Sequence, residues 1–182
     1  PVPYLDAHGT RRAGSRVTGL TGILTRAFGA WRIHPTGPTG TPSFTGGDRP
    51  PPPPAPGPDH RRVATLNLAN LFHTLGERGA ASIAERRRQT DRLASLVAEL
   101  APDVLAVSEL ENRPSAVELL VEEVGRGAYL ARRRAPVGDD TIRNALLYRP
   151  DRVRPVGPLR ILDDGPYVRP LLVQRFRPVG SA

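Results

Sequence analysis

The sequence predicts an α/β fold, a sandwich in which helices cover a sheet, preceded by a short β-hairpin. Three observations lead to this class. From residue 61 onward, strand-like and helix-like apolar patterns follow one another in the order β-α-β-α and then mainly as strands. A proline-rich tract precedes this pattern. The residues before the tract show only strand-like runs with interleaved glycines and aromatics.

Residues 1–35 are predicted to be the end of a β-module. Residues 16–24 and 26–34 have the composition of two β-strands separated by glycine-marked bends. A lone hairpin is marginally stable in water, so we expect these strands to close a β-domain whose earlier part is missing. Phe28 and Trp31 are interpreted as core residues, with stacking on nucleic-acid bases as the alternative.

Residues 36–60 are predicted to be a linker. They are rich in Pro, Gly and Thr and end in "DRPPPPPAPGPD", which favours an extended polyproline II spacer. A stiff spacer is favoured over a signalling motif for such a tract.

Residues 61–182 are predicted to form the α/β unit. An apolar stripe of Leu93, Leu96, Val97 and Leu100 predicts the first helix, and Pro114 suits the first turn of the second. Helices are predicted over residues 81–100 and 114–124, and strands over residues 61–72, 101–110, 128–134, 141–150, 152–157 and 170–177.

The stretch "DVLAVSELENRP" ends a predicted core strand on Glu109, and a carboxylate there is costly without a partner. Asn67 lies on the preceding strand, across one helix, and such strands usually lie near each other. A converging amide and carboxylate suit Mg²⁺, which takes only one or two protein carboxylates. Two alternatives stay open: Glu109 pairs with an arginine or caps a helix, and Asn67 satisfies a loop backbone. Glu111 and Asn112 are interpreted as stabilising the start of the second helix.

Four stretches in order resemble the N-terminal half of the endonuclease/exonuclease/phosphatase superfamily, above all its secreted bacterial extracellular nucleases. They are "VATLNLANLF", "RGA", "RRRQTDRLASLVAELAPDVLAVSELEN" and "VGDDTIRNALLYRPDRVRPVG". The resemblance covers residues 61–177, and each motif alone is weak. Residues before the linker resemble the last strands of the OB-like module that precedes the nuclease domain in these proteins.

The resemblance implies a partial four-layer α/β sandwich and a set of site residues. Glu109 and Asn67 would hold a metal ion, and together with Arg143 they would form the catalytic set. Asn70, Asp140 and Arg143 would contact the substrate phosphate, to which a guanidinium is well suited. The implied metal is Mg²⁺, with Mn²⁺ or Ca²⁺ as alternatives.

The implied function is that of a magnesium-dependent extracellular endonuclease, which hydrolyses DNA, or alternatively RNA, with low sequence specificity. The family's Asn-His, Asp-x-Asn and Ser-Asp-His segments would follow Ala182, and none of His8, His34, His60 and His73 is a plausible general base. We therefore expect a fragment that is inactive and, because half of a sandwich exposes apolar strand surface, prone to aggregate. No signal peptide is visible in it.

Composition limits the alternatives. The chain has 182 residues, and 26 basic against 18 acidic residues give a net charge of +8, which favours polyanionic partners. Every basic residue is arginine, a bias typical of GC-rich genomes, so the charge alone identifies no partner. The lack of cysteine excludes disulfides and thiolate zinc sites. No apolar run approaches the ~18 residues of a membrane span.

Two alternative functions stay open. One is a phosphatase or phospholipid phosphodiesterase of the same superfamily. The other is a non-catalytic nucleic-acid-binding module that uses the arginines of residues 86–88 and 132–134, although a solvated surface is the favoured interpretation of those runs. No protein partner is inferred.

Overall fold

The computed structural model describes residues 13–36, 42–47, 51–57 and 59–180. The chain divides into two compact units between Pro51 and Pro52. Residues 1–12 of the predicted β-module lie outside the described residues. The same holds for residues 37–41, 48–50 and 58 of the predicted linker, and for residues 181–182.

The described residues of the first unit form two small antiparallel sheets, each of two strands. The predicted hairpin is present, but its turn lies at Phe28 and Gly29 rather than near residue 25, because both residues have the positive φ that a tight hairpin turn needs. One strand falls inside the predicted linker. The pairs are β1 (Arg16–Thr18) with β4 (Ser43–Thr45), and β2 (Gly22–Ala27) with β3 (Ala30–Pro35).

The second unit has the predicted order β-α-β-α followed by strands, and the predicted α/β class is confirmed. The second helix continues beyond residue 119 as a π-helical turn, Leu120–Val124. The elements are β5 (Val63–Leu71), α1 (Ile83–Leu100), β6 (Val104–Glu111), α2 (Pro114–Leu119), β7 (Leu130–Ala131), β8 (Ile142–Tyr148), β9 (Val153–Leu162) and β10 (Leu171–Pro178).

Three layers are present in this unit: helices, a four-stranded sheet and a β-hairpin. The sheet has the order β5-β6-β8-β7, in which β5 and β6 are parallel and the other pairs antiparallel. The helices cover one face and bury Leu105 and Leu147 against Val97 and Val117. The β9–β10 hairpin lies over part of the other face, where the Tyr148 and Phe176 rings are 5.6 Å apart.

Helix α1 connects the two parallel strands, and its start is well defined by the sequence. The Ser82 hydroxyl accepts a hydrogen bond from the Glu85 N–H at 3.2 Å, and the Glu85 carboxylate accepts one from the Ala81 N–H at 2.8 Å. Thr90, Ala94 and Val97 form its buried stripe, as a 3.6-residue period requires. None of the described helices combines the length and apolar character needed to cross a membrane.

Asp103 ties the starts of three strands together. This buried carboxylate accepts the Arg62 N–H at 2.7 Å and the Arg152 Nε–H at 2.9 Å. Its backbone carbonyl also accepts the Arg149 N–H at 2.9 Å. Asp103 thereby fixes the first residues of β5, β6 and β9, at the edge of the sheet opposite the one that carries Asn67 and Glu109.

Glu111 is almost fully buried and organises the loop after β5, rather than the start of α2. Its carboxylate accepts the His73 N–H at 2.8 Å, the Thr74 N–H at 3.1 Å and the Thr74 hydroxyl at 2.5 Å. Burial alone would raise the pKa of Glu111, but these hydrogen bonds and the Arg113 charge outweigh it and lower that pKa. The ionised form is therefore the one that stabilises the loop.

A lowered pKa at Glu111 predicts an acid-sensitive fold. Because the folded state favours the carboxylate, its contribution to stability is complete above the ordinary pKa of 4.5 and is lost as the pH falls through the folded value. Glu111→Gln should cost about 1.5–3 kcal/mol of unfolding free energy at pH 7 and flatten the acid limb of the stability profile. Urea unfolding at a series of pH values measures both effects.

The matched control is Glu118→Gln, since the Glu118 side chain is 59% exposed in its salt bridge to Arg134. That change should stay within about 0.5 kcal/mol at every pH. An acid limb that is the same in Glu111→Gln as in the parent would contradict the role assigned to Glu111.

Candidate functional site

Asn67 and Glu109 meet at one edge of the sheet, as the sequence predicts. Strands β5 and β6 are parallel, with Asn67 opposite Ser108, so their last residues reach the same edge. The Asn67 Nδ2 donates a hydrogen bond to Glu109 Oε1 at 2.8 Å. The amide and the carboxylate are therefore in direct contact.

Two β-bulges create this geometry. In the first bulge, residues 68–70 of β5 lie opposite the single residue Glu109 of β6. In the second, residues 108–109 of β6 lie opposite the single residue Asn144 of β8. Leu105 and Val107 of β6 face the helix-covered core, so strict alternation would also place Glu109 there. Because of the extra residues, Leu110 of β6 and Leu71 of β5 face the core in that part of the sheet. Glu109 is thus turned out of the core.

The backbone at both bulges is in a costly conformation. Ala69, Asn70 and Glu109 have φ values of 54°, 57° and 59°, in the left-handed region that residues other than glycine rarely adopt. Such strain persists only where the surroundings enforce it, and it is concentrated at functional sites in proteins. Here three such residues lie within one hydrogen-bonded cluster.

The cluster is held rigidly. Glu109 Oε2 accepts the Asn70 N–H at 3.2 Å, and Asn67 Oδ1 accepts the Ala69 N–H at 2.8 Å. From α1, the Gln89 side-chain amide donates to the Leu68 and Ala69 carbonyls at 2.9 and 3.0 Å. Sequence reasoning missed Gln89, which ties the bulge to the crossover helix.

The donor set of the cluster fits a hard cation. Glu109 supplies carboxylate oxygens with lone pairs beyond those used by Asn67 and Asn70. The buried Asn70 Oδ1 has no hydrogen-bond partner among the described residues. Magnesium needs only one or two protein carboxylates. The described residues contain no cluster of three or more His, Cys, Asp or Glu side chains.

Asn67 lies at the predicted edge and orients Glu109. Both ends of its amide are occupied, the Nδ2 by Glu109 and the Oδ1 by the Ala69 N–H. It fixes the Glu109 carboxylate through its Nδ2, and its Oδ1 keeps a second lone pair. The oxygen with no partner among the described residues is that of Asn70.

An open groove of about 450 Å³ lies beside the cluster, on the sheet face opposite the helices. Asn67, Ser108 and Asn144 contribute polar side chains to its wall, and Leu172 of the β9–β10 hairpin contributes an apolar one. Asn144 and Ser108 were missed from the sequence. Strand alternation could have found them: each is next to a core residue, Val107 or Ala145, and so faces the opposite side of the sheet.

Arg143 does not reach this groove. It is 1% exposed, and its guanidinium donates to the carbonyls of Ala135 at 2.6 Å, Arg133 at 3.2 Å and Arg134 at 3.3 Å. The predicted contact of Arg143 with a phosphodiester does not fit this placement, because Arg143 shares the core-facing side of β8 with Ala145. Burial, with the nearby Arg133 charge, lowers the pKa of Arg143 to about 10, so it stays charged near neutral pH.

Asp140 also has a partner other than the predicted one. Its carboxylate accepts the Arg169 Nε–H at 2.7 Å and the Ile142 N–H at 3.4 Å, and it does not orient Arg143. Partial burial works to raise the pKa of Asp140, but the Ile142 N–H and Arg169 together lower it. Asn112 holds the same loop, with its Nδ2 donating to the carbonyls of Val137, Gly138 and Asp140.

No protein-family model matches the chain, and no curated protein matches it in sequence. Among solved structures, a crystal structure of humanized D. rerio TDP2 is 19% identical, with a TM-score of 0.45, over 66% of this chain and 43% of that one. D. rerio TDP2 complexed with a single-strand DNA product is 21% identical, with a TM-score of 0.44, over 66% of this chain and 42% of that one. The chain spans less than half the length of either structure.

The environment of Arg143 predicts a structural role. Arg143→Met removes the three donors that satisfy the 133–135 carbonyls, so unfolding free energy should fall by about 3 kcal/mol and amide exchange in residues 133–137 should accelerate. Arg126→Met, at an exposed position, is the control and should change neither quantity. An Arg143→Met protein as stable as the parent would show that the loop does not depend on Arg143.

Proposed function

We propose that this chain is part of a divalent-metal-dependent phosphodiesterase of the endonuclease/exonuclease/phosphatase type that cleaves DNA, or alternatively RNA, with low sequence specificity. The observation that carries the proposal is the Asn67–Glu109 contact at 2.8 Å, placed by two strained bulges at the edge of a parallel strand pair. The ordered motifs of residues 61–177 lend it further support. As in the secreted nucleases that the sequence resembles, the reaction would take place outside the cell.

Glu109 and Asn70 are the residues proposed to hold the metal ion. Glu109 provides the charge, and Asn70 provides the buried oxygen that has no other partner among the described residues. Asn67 acts through Glu109 by fixing its carboxylate. A bound Mg²⁺, or Mn²⁺ or Ca²⁺ in its place, would polarise a phosphate oxygen and stabilise the leaving oxyanion.

The substrate phosphodiester is proposed to lie along the groove beside Asn67. Ser108 and Asn144 line this groove and offer hydroxyl and amide donors for phosphate oxygens. Arg143 does not contact the phosphate in this proposal, because its guanidinium already donates to the carbonyls of residues 133–135. Arg169, which is paired with Asp140, precedes Pro170, whose carbonyl accepts a hydrogen bond from the groove residue Asn144 at 3.2 Å, and Arg169 replaces Arg143 as the candidate phosphate contact.

Hydrolysis also requires a group that activates water. In the described part of the chain, Glu109 receives its hydrogen bonds from Asn67 and Asn70, and none from a histidine. His73 lies in the loop after β5, where its backbone binds Glu111 and Arg86. We therefore propose that these 182 residues bind metal and DNA without turnover.

Metal binding to the purified chain tests the proposed site. Mn²⁺, followed by electron paramagnetic resonance, should bind saturably at one site and be displaced by Mg²⁺. Glu109→Gln should abolish this binding, while Asn67→Ala and Asn70→Ala should each weaken it by about 10-fold. Glu118→Gln is the matched surface control and should bind Mn²⁺ as the parent does.

Plasmid cleavage tests the proposed reaction. The 182-residue chain should leave supercoiled DNA intact. If the source gene continues beyond the codon for Ala182, the extended polypeptide should nick it in Mg²⁺ but not in EDTA, and Glu109→Gln should reduce the rate by at least about 100-fold. Cleavage that is independent of metal, or unchanged by Glu109→Gln, would refute the proposal.

A further inference from the structure

The β2–β3 hairpin of the first unit displays large apolar side chains to solvent. Phe28 is 93% exposed, Trp31 67% and Leu24 60%. The prediction that Phe28 and Trp31 are core residues is therefore wrong for the described part of the chain. Single exposed apolar residues are ordinary, but a group of them on one short element marks an interaction surface.

One face of the hairpin carries Trp31 in a defined setting. Arg26 is directly opposite Trp31, and Leu24 is directly opposite Ile33, so these four side chains share a face. The Arg26 guanidinium lies 5.9 Å from the centroid of the Trp31 ring. The indole thus has an exposed surface with a cation beside it.

The tip of the hairpin presents a second ring. Phe28 and Gly29 form the turn with φ values of 52° and 76°, and a bulky residue rarely adopts the first of these. The strain is not offset by burial of the ring, because Phe28 is almost completely exposed. The Arg32 guanidinium lies 5.1 Å from the centroid of this ring.

The charge of the hairpin is of one sign. Residues 22–35 include Arg26, Arg32 and His34 and contain no acidic residue. A segment that carries cations and no carboxylate is complementary to a polyanion, and each of the two exposed rings has its own arginine beside it. Paired rings and cations match the alternating bases and phosphates of a single strand.

We propose that the β2–β3 hairpin binds single-stranded nucleic acid, with bases stacked on Trp31 and Phe28 and phosphates contacted by Arg26 and Arg32. This goes beyond the proposed phosphodiesterase site, because it uses the first unit and requires no metal. Stacking accepts any base, so the hairpin would bind with little sequence preference.

Trp31 is the only tryptophan in the chain, so its fluorescence reports directly on the proposed contact. The 182-residue protein would be titrated with an oligodeoxythymidylate of about twelve nucleotides, in EDTA, at several salt concentrations. Saturable quenching is expected, with an affinity that falls as salt rises. An unquenched Trp31, or quenching by anionic vesicles but not by the oligonucleotide, would overturn the proposal.

Substitutions separate stacking from charge, with binding followed by anisotropy of a labelled oligonucleotide. Phe28→Ala and Trp31→Ala should each weaken binding about 5- to 100-fold, and Phe28→Tyr should restore it. Arg26→Gln and Arg32→Gln should each flatten the salt dependence, with the slope of log K against log salt reduced by about 0.7. Binding that is unchanged in Phe28→Ala and Trp31→Ala would overturn the proposal.

Controls come from the second unit. Tyr167→Ala removes an aromatic ring that is 52% exposed, and Arg126→Gln removes an exposed arginine. Neither should change the affinity. Trp31→Ala should leave Mn²⁺ binding unchanged, whereas Glu109→Gln should abolish it, so that failure of the metal site and failure of the hairpin are distinguishable.

Discussion

The parallel pairing of β5 with β6, through the crossover helix α1, is the constraint on which the rest of the second unit depends. The face of the sheet that the helices cover must be apolar in both strands up to the edge. Leu71 and Leu110 face the helices there only because each strand has a bulge. The bulges turn Glu109 away from the core, and Asn67 meets it there. The candidate site is thus a consequence of filling the core, with left-handed backbone at Glu109 as its local cost.

The charged residues near this edge fall into two groups with different tasks. Those that are fully buried hold loops: Glu111 binds the backbone of His73 and Thr74, and Arg143 binds the carbonyls of residues 133–135. A buried charge is tolerated only when its hydrogen-bonding capacity is satisfied, and loop backbone groups satisfy it here. Glu109 is partly exposed and retains free lone pairs, so it is the carboxylate available for chemistry.

The two proposed contacts with nucleic acid, one in each unit, depend on different physical interactions. In the second, oxygen ligands and a groove suit a metal ion and a phosphodiester, and the interaction would be local. In the first, exposed rings with adjacent guanidinium groups suit bases and phosphates along a strand. Because one depends on a divalent ion and the other only on stacking and charge, each is accessible to experiment without the other.

The sequence by itself determined the order of strands and helices in the second unit, the crossover, and the placement of Asn67 and Glu109 at one edge, because periodicity and chain connectivity are local properties. It did not determine the bulges, the burial of Arg143, the free oxygen of Asn70 or the exposure of Phe28 and Trp31. Those depend on which side chains occupy the core once the strands are paired. A single extra residue in a strand reverses the face of every later side chain, so only the tertiary structure decided them.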